Sequence, residues 1–502
     1  MLNKKTNKKI LWAILLVCIC LLPMFAFCSC QNNLGDISKN LTNYNISVTF
    51  NDENKTLTGS ESVDYVNNTD IVLDKLCFHL YPNSFKQGAK SKVVSGANFE
   101  KAYINGFSEG KIEINGVKVN KENIIAKITG DDDNILEVAL VDPIYPDDRV
   151  QIDIDFIVTM PNICHRFGYG DNTYNFGNFY PICCKYEDGD FRKDVYSSNG
   201  DPFYSDIANY SVTITNDKKF VLACSGTKKS EETKSDTTTT KIVSNVTRDF
   251  AFVLSEKFSV LEAYCGKTKV FYYYFDDENC NENLKAGVDA ISTFSSLFGE
   301  YPYETYSIVK ADFVHGGMEY PTLVYISSDV KDKAEYINVI VHETAHQWWY
   351  GLIGSDEIRH AWMDEGLSEY STILFYKNNK NYGVNAEESL AGSLSNYLLF
   401  SRIYESVYGQ FDSSMDRDLY HFTGDMEYTY VTYVKGVLFF DNLCETVGEK
   451  AFLKSLKYYY KQNVYKVATK EDMIGAFETV THRGLENFFS SWLDGKVILQ
   501  QT

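Results

Sequence analysis

Alternation of apolar and polar residues dominates the chain from about residue 34 to residue 262. Residues 150–156 read Val-Gln-Ile-Asp-Ile-Asp-Phe, and residues 210–214 read Tyr-Ser-Val-Thr-Ile. A period of two is typical of half-buried β-strands, and glycine, asparagine and aspartate separate the runs as they do in hairpins. The pattern predicts an antiparallel β-rich N-terminal domain over residues 34–262.

Helical periods replace this alternation after residue 263. A strand at residues 269–275, a helix ending near Gly299 and a second strand at 307–313 come first. Helical patterns then cover residues 334–349, 363–376, 387–405, 431–447, 449–461, 469–480 and 485–493. The sequence therefore predicts an α+β fold in which a mainly helical domain, residues 263–497, follows the β domain.

The first thirty residues are typical of an export segment, which should be left out of the fold prediction. Lysines from Lys4 to Lys9 precede an apolar run at residues 10–27, and Ser29-Cys30 resembles a bacterial lipoprotein cleavage box. We expect lipidation at Cys30 and a tether to the bacterial cell membrane. An uncleaved anchor and plain secretion are the alternatives, and all three place the folded part outside the cytoplasm.

Charge and cysteine usage exclude two kinds of partner. The formal net charge is −20, and such an acidic surface repels phosphate backbones and anionic lipid. We therefore expect no nucleic-acid partner, and membrane contact only through the N-terminal lipid or anchor. No cysteine after Cys30 forms a Cys-x-x-Cys pair, which argues against a cysteine-ligated metal. Disulfides and buried thiols remain alternatives for these cysteines.

The segment His342-Glu343-Thr344-Ala345-His346 carries the first part of a metal site. Residues four apart lie on one face of a helix, so the imidazoles of His342 and His346 converge on one point. Tetrahedral zinc requires this geometry from two of its ligands. Glu343 lies one position further round the helix, where it can act as general base toward a water molecule at the metal.

Glu365 supplies the third ligand of the predicted site. Eighteen residues separate it from His346, which leaves room for a loop and the start of a second helix. Ligation by His342, His346 and Glu365 leaves the fourth coordination position open, as in catalytic zinc sites. The sequence therefore predicts one catalytic zinc ion per chain.

Two further segments fit a peptide-cleaving site. Gly316, Gly317, Met318 and Glu319 follow a strand and precede the metal-binding helix. They could form a sheet edge that receives an extended peptide, with Glu319 facing the substrate's ammonium group. Tyr433 could donate its hydroxyl proton to a developing oxyanion. Taken singly, a glycine turn and a packed tyrosine are the simpler alternatives.

Together these motifs resemble the M1 family of zinc metallopeptidases, the gluzincins that include aminopeptidase N. That family combines Gly-x-Met-Glu-Asn, His-Glu-x-x-His, a glutamate after eighteen residues, and a tyrosine in Tyr-x-Lys-Gly. The resemblance implies a saddle-shaped β domain and a thermolysin-like catalytic domain after residue 30. Tyr320 replaces the usual asparagine, which could alter the pocket for the first side chain. Residues 175–181 lack the Asp-Glu-Pro motif, so the resemblance leaves Glu319 as the one amine-binding carboxylate.

The function expected from this resemblance is that of an aminopeptidase acting on peptides with a free N-terminus. A zinc endopeptidase with the same centre and a non-catalytic peptide-binding lipoprotein are the rival hypotheses. Three other residues have open roles. His360 is expected to be structural, His315 lies in a pocket or on the surface, and Glu369 orients a ligand imidazole or is solvated.

Overall fold

The computed structural model describes residues 34–500. The predicted export segment, residues 1–30 with Cys30, lies outside the described residues. Helix α1 (Leu34–Ser38) belongs to one unit, and the described residues from Leu41 onward form a second, compact unit. The predicted boundary near residue 262 stays a prediction. Among the described residues, no helix has the length and apolarity needed to cross a membrane.

Strands are the main regular elements of residues 34–259. They are β1 (Asn43–Asn51), β2 (Thr56–Val66), β3 (Leu73–His79), β4 (Lys111–Val119), β5 (Glu122–Ile124), β6 (Lys127–Thr129), β7 (Ile135–Ile144), β8 (Arg149–Thr159), β9 (Phe167–Tyr169), β10 (Tyr174–Phe176), β11 (Ile182–Cys183), β12 (Tyr186–Glu187), β13 (Asp190–Phe191), β14 (Ala208–Asp217), β15 (Val221–Cys224), β16 (Thr227–Lys234), β17 (Thr237–Thr247) and β18 (Phe252–Ser255).

An eight-stranded sheet in the order β16-β17-β14-β1-β2-β8-β4-β5 forms the main layer of this half. Val150, Ile152, Ile154 and Phe156 of β8 are buried, and the residues between them lie on the other face, as the alternation predicts. One pair differs from the antiparallel prediction, because β1 and β14 run parallel. These strands are far apart in sequence, so no tight turn forces them to be antiparallel.

A five-stranded sheet begins the second half and positions the site. Its strands β19 (Ser259–Cys265), β20 (Thr268–Tyr274), β21 (Thr305–Ala311), β22 (Gly317–Met318) and β23 (Leu323–Ser327) are ordered β19-β20-β21-β23-β22. Strands β20, β21 and β23 run parallel, and β22 pairs antiparallel with β23. Strand β22 is therefore the terminal strand of its sheet, as predicted for the Gly-Gly-Met-Glu segment.

Helices dominate the rest of the chain. They are α2 (Phe99–Ala102) in the first half, then α3 (Cys280–Leu297), α4 (Lys333–His346), α5 (Glu357–His360), α6 (Leu367–Asn378), α7 (Ala386–Tyr408), α8 (Asp425–Tyr428), α9 (Lys435–Val447), α10 (Glu449–Asn463), α11 (Lys470–Thr481) and α12 (Glu486–Leu493). Strands β24 (Ile353–Gly354) and β25 (Lys466–Val467) form a small parallel pair. The predicted α+β class is confirmed.

Three of the predicted helices contain a π-helical turn that the sequence pattern did not reveal. These turns span Gln347–Leu352 after α4, Trp362–Gly366 before α6, and Thr429–Val434 before α9. π turns are rare and often mark functional sites. Here the three turns lie directly after His346, around Glu365 and around Tyr433.

Candidate active site

Helix α4 presents the two histidines on one buried face. Asp332 caps the helix by accepting a hydrogen bond from the backbone N–H of Glu335, and the helix ends at His346. Within this helix His342 and His346 are one turn apart, and their Nε2 atoms lie 3.0 Å from each other. The predicted convergence of the two imidazoles is therefore present in the fold.

Glu365 completes a group of three atoms that fits a metal ion. Its Oε2 lies 3.3 Å from Nε2 of His342 and 3.2 Å from Nε2 of His346. Ligands about 2.0–2.1 Å from a tetrahedral zinc ion lie roughly 3.3 Å from one another. The three observed distances match this spacing, and two imidazoles with one carboxylate are a donor set that zinc accepts. We conclude that these residues fit the predicted metal.

Tyr433 lies against two of these side chains, Glu365 and His342. Its hydroxyl donates a hydrogen bond to Oε1 of Glu365, and its ring stacks on His342 with centroids 5.9 Å apart. Burial, followed by the charge of Glu365, raises the pKa of Tyr433 well above its usual range. The phenol is therefore protonated at neutral pH and can act as a hydrogen-bond donor.

A contact between two glycine backbones sets the distance between Glu365 and Tyr433. A Cβ atom on Gly436 would lie 2.7 Å from Cα of Gly366, and one on Gly366 would lie 3.0 Å from Cα of Gly436. No side chain fits between the two helices at this point. Gly366 follows Glu365 directly and Gly436 is three residues after Tyr433, so the bare contact brings both functional groups together.

Glu343 lies beside edge strand β22. Burial, followed by Glu365 and Asp201, raises the pKa of Glu343 to about 8, although His342 acts in the opposite direction. A Cβ on Gly317 would lie 2.3 Å from Oε1 of Glu343. The glycine therefore leaves the space that the carboxyl group of Glu343 occupies.

The predicted substrate-binding segment contributes three of its four residues to a cleft of about 300 Å³ above the metal-binding side chains. Gly316, Gly317 and Glu319 line this cleft, whereas Met318 is buried in the core on the opposite side of the strand. Such alternation is expected along an extended segment. The side chain of Met318 therefore supports the strand from beneath.

Glu319 is buried next to the metal-binding residues. One of its carboxylate oxygens lies within 4.8 Å of a ring nitrogen of His346, and its Oε1 has no hydrogen-bond partner. Burial, followed by repulsion from Asp201, raises the pKa of Glu319 well above its usual range. A cationic group entering the cleft would meet this unpaired carboxyl.

Asp201 is the carboxylate from the β half that the sequence did not reveal. Residues 198–201 line the cleft, and Asp201 forms an ion pair of 2.6 Å with Arg166. The stretch 175–181, expected in this position, contributes no residue to the lining of the cleft. Asn175 donates hydrogen bonds to the carbonyls of His165 and Asp312.

Tyr320, which replaces the asparagine usual in the motif, does not line the cleft. Its side chain is fully buried, and its hydroxyl donates a hydrogen bond to Asn178 at 2.8 Å. A Cβ on Gly177 would lie 1.9 Å from that hydroxyl oxygen, so the glycine makes room for the ring. The expectation that Tyr320 alters the pocket for the substrate is wrong, because the ring instead ties the substrate strand to the β half.

The structure shows the surroundings of the three residues whose roles the sequence left open. Oε1 of Glu369 lies 3.2 Å from Nδ1 of His342, where it can orient the imidazole. His315 lines the cleft, and burial, followed by the charge of Arg166, lowers its pKa to about 4. His360 instead pairs with Asp416, consistent with the structural role expected for it.

Comparison with known proteins agrees with this geometry. The model of the peptidase family M1 domain matches residues 282–492. Aminopeptidase M1-D of Oryza sativa subsp. japonica is 25% identical over 226 residues, which cover 42% of this chain and 25% of the relative. Aminopeptidase N of Streptomyces lividans is 25% identical over 206 residues, which cover 39% of this chain and 23% of the relative. The chain thus spans about a quarter of the length of the curated relatives it matches.

Solved structures extend the similarity of fold to nearly the whole chain. The M1 zinc metallopeptidase of Deinococcus radiodurans superposes with a TM-score of 0.66 at 16% identity, covering 92% of this chain and 96% of that one. Identity at this level shows a shared fold. The motif spacing, the assembled site and the family match agree: residues 282–492 match the domain of peptidase family M1.

Proposed function

We propose that this protein is a zinc metalloaminopeptidase that hydrolyses the N-terminal peptide bond of peptides. The observation that carries the proposal is the unpaired carboxyl of Glu319, buried beside three side chains that fit a zinc ion. The curated relatives are named aminopeptidases, and a mutant of the Deinococcus enzyme was crystallised with a Tyr-Ser-Ala substrate.

In this proposal His342, His346 and Glu365 hold the zinc ion, which when bound supplies Lewis acidity to the reacting carbonyl and water. Glu343 removes a proton from the attacking water and delivers it to the departing amine. Gly317 keeps the space in which this carboxyl moves. Tyr433 donates its hydroxyl proton in a hydrogen bond to the oxyanion that develops at the carbonyl.

The free N-terminus of the substrate is held by the acidic side of the cleft. Glu319 pairs with the ammonium group, and Asp201 adds a second negative charge from the β half. Edge strand β22 offers unpaired backbone groups that an extended peptide can bind by strand addition. With the ammonium fixed in this way, the first peptide bond lies over the metal-binding residues.

The discriminating experiment compares fluorogenic aminoacyl substrates with their N-acetylated counterparts. Acetylation removes the cation and leaves Glu319 buried without a partner, so kcat/KM should fall by about 100-fold or more. Glu319→Gln should lower kcat/KM for the free-amine substrates and so reduce the ratio of kcat/KM between free and acetylated substrates. Glu61→Gln is the matched control, because Glu61 is also buried without partners but lies in β2.

Two outcomes would favour the rival functions. Equal cleavage of free and acetylated substrates by the wild-type protein would indicate an endopeptidase. Tight peptide binding without any turnover by the metal-loaded protein would indicate a binding protein. If Glu319→Gln keeps the preference for free amines, Asp201 is the residue that binds the ammonium group. Asp201→Asn should then remove the preference.

We also propose that the protein acts outside the cytoplasm, tethered to the bacterial membrane through Cys30. The basic and apolar stretches of residues 1–30 and the Ser29-Cys30 pair support this proposal. Cys30→Ser should release the protein from membranes or leave the precursor uncleaved, as membrane fractionation and mass spectrometry can measure. Unchanged membrane retention at unchanged mass would favour the uncleaved anchor.

A further inference from the structure

Residues 84–107, which include helix α2, form a groove with a volume of about 580 Å³, a size within the range of ligand-binding pockets. We call it the aromatic groove, because the rings of Phe99, Tyr103 and Phe107 line it. Tyr103 packs against Phe99 and Phe107, with ring centroids 4.9 Å and 5.3 Å apart. Phe99 and Phe107 are 42% and 48% exposed, so their apolar surface is open to a ligand.

The aromatic groove is continuous with the cleft that contains the metal-binding residues. Val93 lines both cavities. Asp425, which also lines the cleft, accepts hydrogen bonds from the side chains of Ser95 and Asn98, two residues of the segment that forms the groove. The two open cavities therefore border each other at Val93, and a peptide that leaves the cleft across this residue enters the aromatic groove.

The position of Glu319 decides which end of a peptide reaches the groove. Glu319 and His315 lie at opposite ends of the segment 315–319, and both line the cleft. The ring of His315 packs on that of His165, with centroids 5.6 Å apart. His165 in turn lies 5.7 Å from the ring of Phe85, which lines the groove. A peptide that lies along β22 with its N-terminus at Glu319 therefore directs its C-terminal part toward the groove.

We propose that the aromatic groove binds an apolar or aromatic side chain in the C-terminal part of the peptide substrate. Four residue steps lead from Glu319 to His315, and an extended peptide advances as far per residue as the strand beside it, about 3.3 Å. The side chain in the groove therefore belongs to about the fourth to sixth residue of the substrate. This direction rests on the proposed function, because Glu319 fixes the N-terminus there.

A set of hexapeptides tests the position of the bound side chain. The first residue is the one cleaved fastest in the aminoacyl set, and the others are serine, with one phenylalanine at position three, four, five or six. Mass spectrometry measures release of the first residue. We expect kcat/KM to be about tenfold higher for phenylalanine at one of positions four to six than for the all-serine peptide, because the bound ring is removed from water. The gain should appear as a lower KM, and phenylalanine at position three should have less effect.

Two substitutions in the groove and one outside it make the test specific. Phe99→Ala removes an exposed ring, and Gly96→Trp fills the groove, since a Cβ on Gly96 would have no atom within 4 Å. Both should reduce the ratio of kcat/KM between phenylalanine and serine peptides to about one. Tyr145→Ala removes a ring that is 63% exposed and lies outside the groove, so it should keep the full ratio. Cleavage of single aminoacyl substrates, which are too short to reach the groove, reports whether each variant is folded.

Equal kcat/KM for all the peptides would overturn the proposal. A preference for phenylalanine that Phe99→Ala and Gly96→Trp leave unchanged would also overturn it, because the side chain would then bind elsewhere. A groove that binds a second copy of this chain would instead appear as a dimer that Gly96→Trp dissociates, with no dependence on the peptide sequence.

Peptide binding to the Glu343→Gln protein separates this proposal from the proposed function. Calorimetry compares its affinity for the phenylalanine and serine peptides without turnover, and Kd should be about tenfold lower for the phenylalanine peptide. Equal Kd values would contradict the role of the groove. Equal cleavage of free and acetylated substrates by the wild-type protein would instead contradict the aminopeptidase proposal.

Discussion

Substitution of Gly436 by alanine should separate the two helices that carry Glu365 and Tyr433. The new Cβ would lie 2.7 Å from Cα of Gly366, and ordinary contacts between carbon atoms are about 3.5–4.0 Å. The helices must therefore move apart by about 1 Å. A displacement of this size in a catalytic group costs about 100-fold in rate, close to the loss of one oxyanion donor. We expect kcat to fall by about 100-fold.

Three measurements separate this effect from general damage. KM should change little, because the three atoms nearest to the new Cβ all belong to Gly366 and none belongs to the substrate-binding segment. Bound metal, measured by mass spectrometry, should remain, since His342 and His346 are untouched. Chemical denaturation should show a loss of about 1–3 kcal/mol from overpacking. Gly475→Ala is the matched control, because Gly475 lies inside α11 with open space around it and should leave kcat unchanged.

A folded, metal-loaded Gly436→Ala protein with the wild-type kcat would refute the reasoning. It would show that the distance between Glu365 and Tyr433 does not depend on the glycine contact. A similar fall in kcat for Gly475→Ala would also contradict it, because that change adds no contact within 4 Å.

The site and its surroundings give three further predictions. Glu343→Gln should keep the metal and lose several orders of magnitude in kcat, whereas equal loss of both would make Glu343 a ligand. Tyr433→Phe should lower kcat by about 100- to 1000-fold with a modest change in KM, and an unchanged kcat would return Tyr433 to a packing role. Burial raises the pKa of Asp249 from 3.8 to about 7, so the folded protein favours its protonated form. The free energy of unfolding should therefore fall by about 4 kcal/mol as the pH rises from about 4 to 7. Denaturation curves of Asp249→Asn should not show this fall. Arg248 and Tyr350 face Asp249, so an unchanged pH profile would mean that they stabilise the charged form.

Residues that act through local spacing could be predicted from the sequence. His342 and His346 are one helical turn apart, and helix geometry alone places them together. The helices of the second half were also predicted with bounds close to those observed, because their apolar stripes are regular. The match to peptidase family M1 confirms the resemblance drawn from these motifs.

Residues that enter the site from distant segments could not be predicted in this way. Asp201 is one of 68 acidic residues and lies in no recognisable spacing. Only the packing of separate segments brings it to the same cleft as Glu319. Tyr320 is different, because alternation along an extended segment already places it opposite Glu319. The sequence contained that signal, and the wrong expectation came from the family pattern.

The three π turns imply a conflict between stability and activity in this chain. Each turn widens the regular helical hydrogen-bond pattern, and each lies where a functional side chain must face the metal. Removing one residue from such a turn would restore an ordinary helix and rotate the side chains beyond it by about a quarter turn. We therefore expect proteins with one residue deleted within Trp362–Gly366 or Thr429–Val434 to fold but to lose activity. Selection for thermal stability alone would lead toward these straightened, inactive forms.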